Sequence, residues 1–222
     1  MTNRHVLAKL HAVAKQLEKA SRWTGSPFVV DALKDDYVFE LLCLFDIALS
    51  KGSMKASVVS REDPEAPGKW IARWPKKPAE MRNFSYLKLS DGKTGEVLFR
   101  LCPGINIEDK YKKKRAPDVN LLKEGKTEEP KHTDLLACWD AKFVSDPTQR
   151  LSDVAVADFI YTFGCLGSPG VHPRWSSEVT EGRYRVSGLV TNGRMSTEPH
   201  DALSEAGIHE TAQFPGAPLT RP

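Results

Sequence analysis

Residues 135–143, LLACWDAKF, form an apolar stretch interrupted only by one acid and one lysine, two positions apart. A short run of this kind, bounded by polar segments, has the pattern of a buried β-strand. Side chains alternate across a strand, so Asp140 and Lys142 share one face while Trp139, Ala141 and Phe143 share the other. Burying a carboxylate and an ammonium in a central strand costs several kcal/mol per ion unless something offsets it. A metal ion and a phosphate would do so. The plain alternative is an exposed edge strand carrying a simple ion pair.

The acidic-x-lysine triplet means nothing by itself. The chain holds five, at 91–93, 108–110, 124–126, 129–131 and 140–142, and only the last lies in an apolar strand. Asp118 opens the preceding apolar strand, DVNLL at 118–122, and it belongs to the only Pro-Asp pair among fifteen prolines. A polar, charged loop joins the two strands, which suits a hairpin that brings Asp118 and Asp140 together. Two carboxylates at one point make a hard-oxygen site suited to Mg²⁺ or Mn²⁺.

The rest of the chain supplies a frame. Val6, Leu10, Val13 and Leu17 recur at helical spacing, so residues 3–21 read as an amphipathic helix, assigned with residues 1–25 to an N-terminal element packed on a main domain at 26–214. Residues 36–49 are apolar on nearly every face, as in a buried helix, with Glu40 the exception. From 54 to 107 the pattern becomes short β-rich pieces separated by Pro, Gly and Asp clusters, an antiparallel meander. Asp146 and Pro147 mark a helix start as N-cap and first helical residue, with an end near Gly164 or Gly167. Residues 183–214 read as strand, turn at Asn192 and Gly193, helix with Pro199 in its first turn, and short strand, a β-α-β unit. Residues 215–222 read as a loose tail.

In this order APDVNLL and LLACWDAKF resemble the motif of the PD-(D/E)xK, restriction-endonuclease-like nucleases. DDYVFELLCLF is similar to the Tyr- and Glu-bearing helix before the motif in McrC-type nuclease domains, and SGLVTNGRMSTEPHDALSEAGIHE resembles the strand-helix-strand after it in Mrr-type enzymes. The resemblance implies an α/β fold: a central mixed β-sheet flanked by α-helices. It implies that Asp118 and Asp140, with the Ala141 carbonyl, hold Mg²⁺ or Mn²⁺, that Lys142 orients or deprotonates the attacking water, and that Glu40 completes the site. A buried acid bonded within the core, or an acid at a helix margin, remains the other reading of Glu40. The implied activity is phosphodiester hydrolysis, with double-stranded DNA as substrate by analogy with the family, in defence against foreign DNA. Upstream, Lys110, Lys112, Lys113, Lys114 and Arg115 crowd the approach to Asp118 and suit phosphate backbones. A solvated loop is the alternative for that run.

Other classes fit less well. No apolar run approaches the roughly 20 residues of a membrane span, and residues 1–20 carry charge throughout, so a cytoplasmic location is expected. Cys43, Cys102, Cys138 and Cys165 are scattered and form no C-x-x-C pair, so they read as core residues. The six histidines lack zinc-hydrolase spacing, and neither a phosphate-binding glycine loop nor G-x-S-x-G occurs. No recognition module is evident either, so specificity would come from loops, a partner subunit or a second copy of the chain. A silent binding subunit that keeps the nuclease fold, and an α/β interaction module in which the triad is coincidental, are the alternatives.

Overall fold

The computed structural model describes residues 35–125, 128–170 and 172–214. The expected helix at 3–21 and the tail at 215–222 lie outside them. Helix α1 (Asp35–Leu49) is followed by strands β1 (Lys55–Val59), β2 (Arg61–Asp63), β3 (Ala66–Ile71), β4 (Tyr86–Ser90), β5 (Val97–Pro103), β6 (Ile107–Glu108), β7 (Lys114–Arg115), β8 (Val119–Lys123) and β9 (Leu135–Lys142). Then come α2 (Asp153–Cys165), α3 (Pro173–Glu178), β10 (Gly188–Thr191), α4 (Thr197–Glu205) and β11 (His209–Thr211). The protein is α/β: seven strands make one mixed sheet in the order β1-β4-β5-β8-β9-β10-β11, with helices on both faces. This is the layout that the nuclease resemblance implies.

The sheet is antiparallel from β1 to β9 and parallel from β9 to β11. The change follows from the connections. A hairpin joins β8 to β9, whereas α4 carries the chain from β10 to β11 as a crossover, which parallel strands require. β8 and β9 therefore lie near the middle of the sheet, where both faces are covered and apolar residues dominate.

The helices divide the core in two. On one face, α1 buries ten of its fifteen residues against β5, β8 and β9, where Trp139 and Ala141 meet Phe39 and Phe45 in one cluster with Trp175 of α3. Asp46 fixes the far end of α1 by accepting hydrogen bonds from the Tyr184 hydroxyl at 2.7 Å and from Arg183 at 2.9 Å. On the other face, Phe159 and Phe163 of α2 and Leu203 of α4 pack with Leu122, Leu135 and Cys138. The four cysteines are all buried and free, as small core residues.

The elements depart from expectation in three places. Residues 66–71 leave the meander and pair with β2 as a separate two-stranded ribbon. Asp146 does not cap a helix: its Oδ1 accepts the backbone N–H and the hydroxyl of Thr148, closing a turn, and α2 begins only at Asp153, where the Ser152 hydroxyl accepts the Ala155 N–H. Asp and Ser both compete for such local bonds, and the later Ser wins the helix because Leu151 is held out of it by pairing with the Arg194 carbonyl. Finally, a short 3₁₀ turn at Gly182–Tyr184 occupies the expected start of β10.

Two details hold β10 against β9. The Asn192 side chain accepts from the Val144 N–H and donates to the Val144 carbonyl, both at 2.7 Å, so a side chain extends the ladder by one rung. Gly188 lies so close to its neighbours that a Cβ there would stand 2.9 Å from the His209 carbonyl oxygen and 3.0 Å from Trp139 Cδ1. Gly188→Ala should therefore lower stability by about 1–3 kcal/mol through overpacking. A reduced urea midpoint with an unchanged m value is the expected result.

Candidate active site

The hairpin places the site. Its register pairs Val119 with Trp139, which sets Asp118 opposite Asp140 at the mouth of the β8–β9 ladder. Residues directly opposite in an antiparallel pair project to the same side, so the two carboxylates share one face. The Ala141 N–H donates to Asp118 Oδ2 at 2.7 Å, which turns the Asp118 carboxyl in toward β9. Lys142 Nζ lies 2.7 Å from Asp140 Oδ2. Alternation along β9 is as expected: Trp139 and Ala141 enter the α1 core and Phe143 packs on it, while Asp140 and Lys142 open onto the opposite side.

On that side is a cleft of about 270 Å³ lined by Lys114, Arg115, Asp140, Lys142, Asp158 and Thr162, together with the apolar Pro117 and Phe159. Ions buried beside such a cleft feel one another strongly. Asp118 shows this. Burial, then the neighbouring Asp140 and Glu40, push its carboxyl well above the ordinary carboxylate range. Burial works against the charge on Lys142, but Asp140 and Asp118 outweigh it and raise the ammonium above its ordinary value. Lys142 is therefore a fixed cation in this chain.

Glu40 comes to the site from the other face. Phe39 packs on Phe143 with ring centroids 5.9 Å apart, which brings the adjoining residue of α1 to the end of β9. Its carboxyl is pushed up to about 7, by burial first and then by Asp36, with Lys142 pulling the other way and Asp140 adding to the rise. Among the described residues, the Glu40 side chain makes no hydrogen bond or ion pair. It feels the triad without touching it.

The basic segment borders the cleft as a built loop. The buried Asp109 accepts the N–H groups of Tyr111 and Lys113 and the Arg115 Nε–H, and Lys112 takes a left-handed conformation at φ +62° to close the turn between β6 and β7. Lys114 pairs with Glu80 at 2.7 Å, and Lys110, Lys112 and Lys113 are exposed. Asp158 and Thr162 on α2, and the anchors Asp109 and Glu80, are absent from the sequence expectation. Asp158 and Thr162 lie four residues apart in DFIYT, one turn of a helix, and that spacing is the one signal that pairs them. Nothing in the sequence sets α2 against β9.

Among the described residues no three histidine, cysteine or acidic side chains gather into a metal-binding group. The two adjacent carboxylates nevertheless fit a magnesium-like ion, which takes one or two carboxylates and fills its shell with water and substrate phosphate. The Asp118 carboxyl is raised by burial first and then by Asp140 and Glu40, and a divalent ion would offset the repulsion between the acids. Comparison with protein-family models, curated proteins and solved structures finds no match to this chain. No helix among the described residues is long and apolar enough to cross a membrane.

A carboxyl raised in the folded state keeps a proton that the unfolded chain has released. Between about 4.5 and 7 for Glu40, rising pH therefore costs stability, and the loss is complete above the folded value. Glu40→Gln removes this term. In EDTA the variant should match wild type near pH 4.5 and exceed it at pH 8 by on the order of 1–3 kcal/mol. Thermal melts of the two proteins that stay parallel across that window would refute the placement of Glu40.

Proposed function

We propose that the chain is a metal-dependent nuclease of the PD-(D/E)xK type that hydrolyses phosphodiester bonds. The observation that carries this reading is the meeting of Asp118 and Asp140 across the β8–β9 hairpin, with Lys142 2.7 Å from Asp140, beside a cleft that Asp140 and Lys142 line together with Lys114 and Arg115. Asp118, Asp140 and the Ala141 carbonyl are the groups that would hold Mg²⁺ or Mn²⁺. Such an ion supplies positive charge that activates water and offsets the charge developing on the phosphorus centre.

The chain's own residues supply the remaining parts. Lys142 keeps its proton in this setting, so it serves by orienting, donating hydrogen bonds to the attacking water or to a phosphate oxygen. Arg115 is pinned by Asp109 and presents a rigid donor fork, the geometry that recognises phosphate oxygens in pairs. Lys110, Lys112 and Lys113 extend the positive surface away from the cleft and suit the flanking backbone. DNA as substrate, and a role in removing foreign DNA, follow from the family resemblance.

The second reading is a binding subunit with the same fold. The observation on its side is the lack, among the described residues, of a third carboxylate close enough to complete a metal group. Cleavage of supercoiled plasmid and linear duplex in Mg²⁺, Mn²⁺ or EDTA separates the two. The nuclease reading expects metal-dependent cutting that Asp140→Ala reduces by roughly a thousandfold or more, with Lys142→Ala similarly impaired. Binding without cutting in every metal favours the second reading.

Both readings give the basic loop one role. Replacing Lys110, Lys112 and Lys113 together by alanine should weaken DNA binding and flatten its salt dependence by roughly 0.9 in log–log slope for each phosphate no longer neutralised. An unchanged slope would remove the loop from the interface.

A further inference from the structure

The rim of the cleft carries aromatic rings as well as cations. Four large hydrophobic side chains stand out as exposed among the described residues, and two of them, each 61% exposed, belong to this region: Tyr111 within the basic loop and Tyr161 beside it. Tyr161 lies on α2 between the cleft residues Asp158 and Thr162, and the Arg115 guanidinium sits 5.1 Å from its ring centroid. One helical turn beyond Tyr161, the Cys165 carbonyl accepts the Lys110 N–H and so seats the loop on the end of α2. There Tyr111 follows directly, with Lys110 Nζ 5.2 Å from its ring centroid. These contacts trace one line from Tyr161 beside the cleft, over the end of α2, to Tyr111 on the loop seated there.

This line is held in shape from beneath. A carboxylate that is 1% exposed, Asp109, fixes the loop through three hydrogen bonds, and Arg115 is further tied to Cys165 Sγ at 3.7 Å. Exposed rings on a mobile loop would be incidental, but these stand on a buried anchor. Cations alone suit any polyanion. Aromatic faces suit only bases whose own faces are open, because in a duplex each base is already stacked above and below. Positive side chains for the backbone combined with rings for the bases are the two parts of a single-strand groove.

We propose that the cleft takes an unpaired strand, with Tyr161 and Tyr111 stacking successive bases while Arg115 and the loop lysines hold the phosphates between them. The proposal rests on the nucleic-acid part of the function argued above and names its substrate class, single-stranded nucleic acid or an unpaired stretch beside the cut. Tyr161 and Tyr111 are then binding residues that set specificity, outside the reacting centre. DNA and RNA offer the same bases and phosphates to this surface, so the test carries both.

The test is fluorescence anisotropy of the full chain in EDTA, so that nothing is cut, with labelled single-stranded DNA, single-stranded RNA and duplex DNA of one sequence. At least one single strand is expected to bind roughly tenfold more tightly than the duplex. Tyr161→Ala should lose roughly tenfold on that strand and little on the duplex, Tyr161→Phe should retain binding, and Tyr111→Ala should show a similar selective loss. Quenching of 2-aminopurine placed in the strand should accompany wild-type binding and vanish in Tyr161→Ala. Both tyrosines are exposed, so the variants should keep the wild-type melting temperature. Equal affinity for strand and duplex, or binding indifferent to both rings, overturns this proposal and leaves the nuclease reading intact. No binding to any of the three overturns both.

Discussion

Everything at the site depends on two carboxylates placed side by side in the middle of a sheet. Like charges at such a separation in a partly dry setting cannot both ionise freely, and the structure meets this by unequal means. Lys142 neutralises Asp140 directly, whereas Asp118 is given one backbone N–H and is otherwise left in a setting that favours its neutral form. The surrounding fold keeps the pair from separating. β8 and β9 are fixed on one face by α1 and on the other by α2, and β10 is locked to β9 by the Asn192 clasp and the close approach of Gly188 to Trp139. Replacing buried charges of this kind by well-packed apolar residues is often neutral or stabilising. Stability alone therefore does not account for the charges.

The loop beside them follows the same logic at longer range. Asp109 is buried and spends its bonds on the shape of a highly basic turn, and Glu80 ties Lys114 to the segment that crosses beside Gly104, whose N–H in turn donates to the Asp118 carbonyl. Two acids thus organise the cations and not the reverse. Positive charge is gathered at the end of the sheet where Asp118 and Asp140 stand, with Arg115 and Lys114 held by those acids and Lys110, Lys112 and Lys113 exposed.

Much of this was legible in the residues. Asp140 and Lys142 stand out because an apolar strand has a period of two, and charges in it are costly wherever they fall. Asp118 follows from a strand boundary and a charged loop of hairpin length, and Glu40 from being the misfit in an otherwise apolar helix. What could not be read was set by tertiary contact. Asp146 and Pro147 have the chemistry of a helix start, yet Thr148 closes a turn on Asp146 and the pairing of Leu151 with Arg194 delays α2 to Ser152. Asp158 and Thr162 look like ordinary outer-face residues of α2 until that helix is laid across β9. Lys114 and Arg115 belong to one charge run with Lys112 and Lys113, but only the fold shows that the first two face the cleft and the others face solvent.

Glu40 shows how the two halves of the core communicate. It belongs to α1, on the face opposite the cleft, and reaches the triad only because Phe39 packs on Phe143 past the end of the β9 ladder. Its carboxyl is raised by burial and by Asp36 and Asp140, while Lys142, the cation near it among the described residues, is already committed to Asp140. Any added positive charge at Asp118 and Asp140 would therefore lower the Glu40 carboxyl as well, and release protons from Asp118 and Glu40 together. Glu40 on α1, Asp118 before β8 and Asp140 on β9 thus shift one another's charge across the sheet, which links the electrostatics of the cleft to the packing of α1.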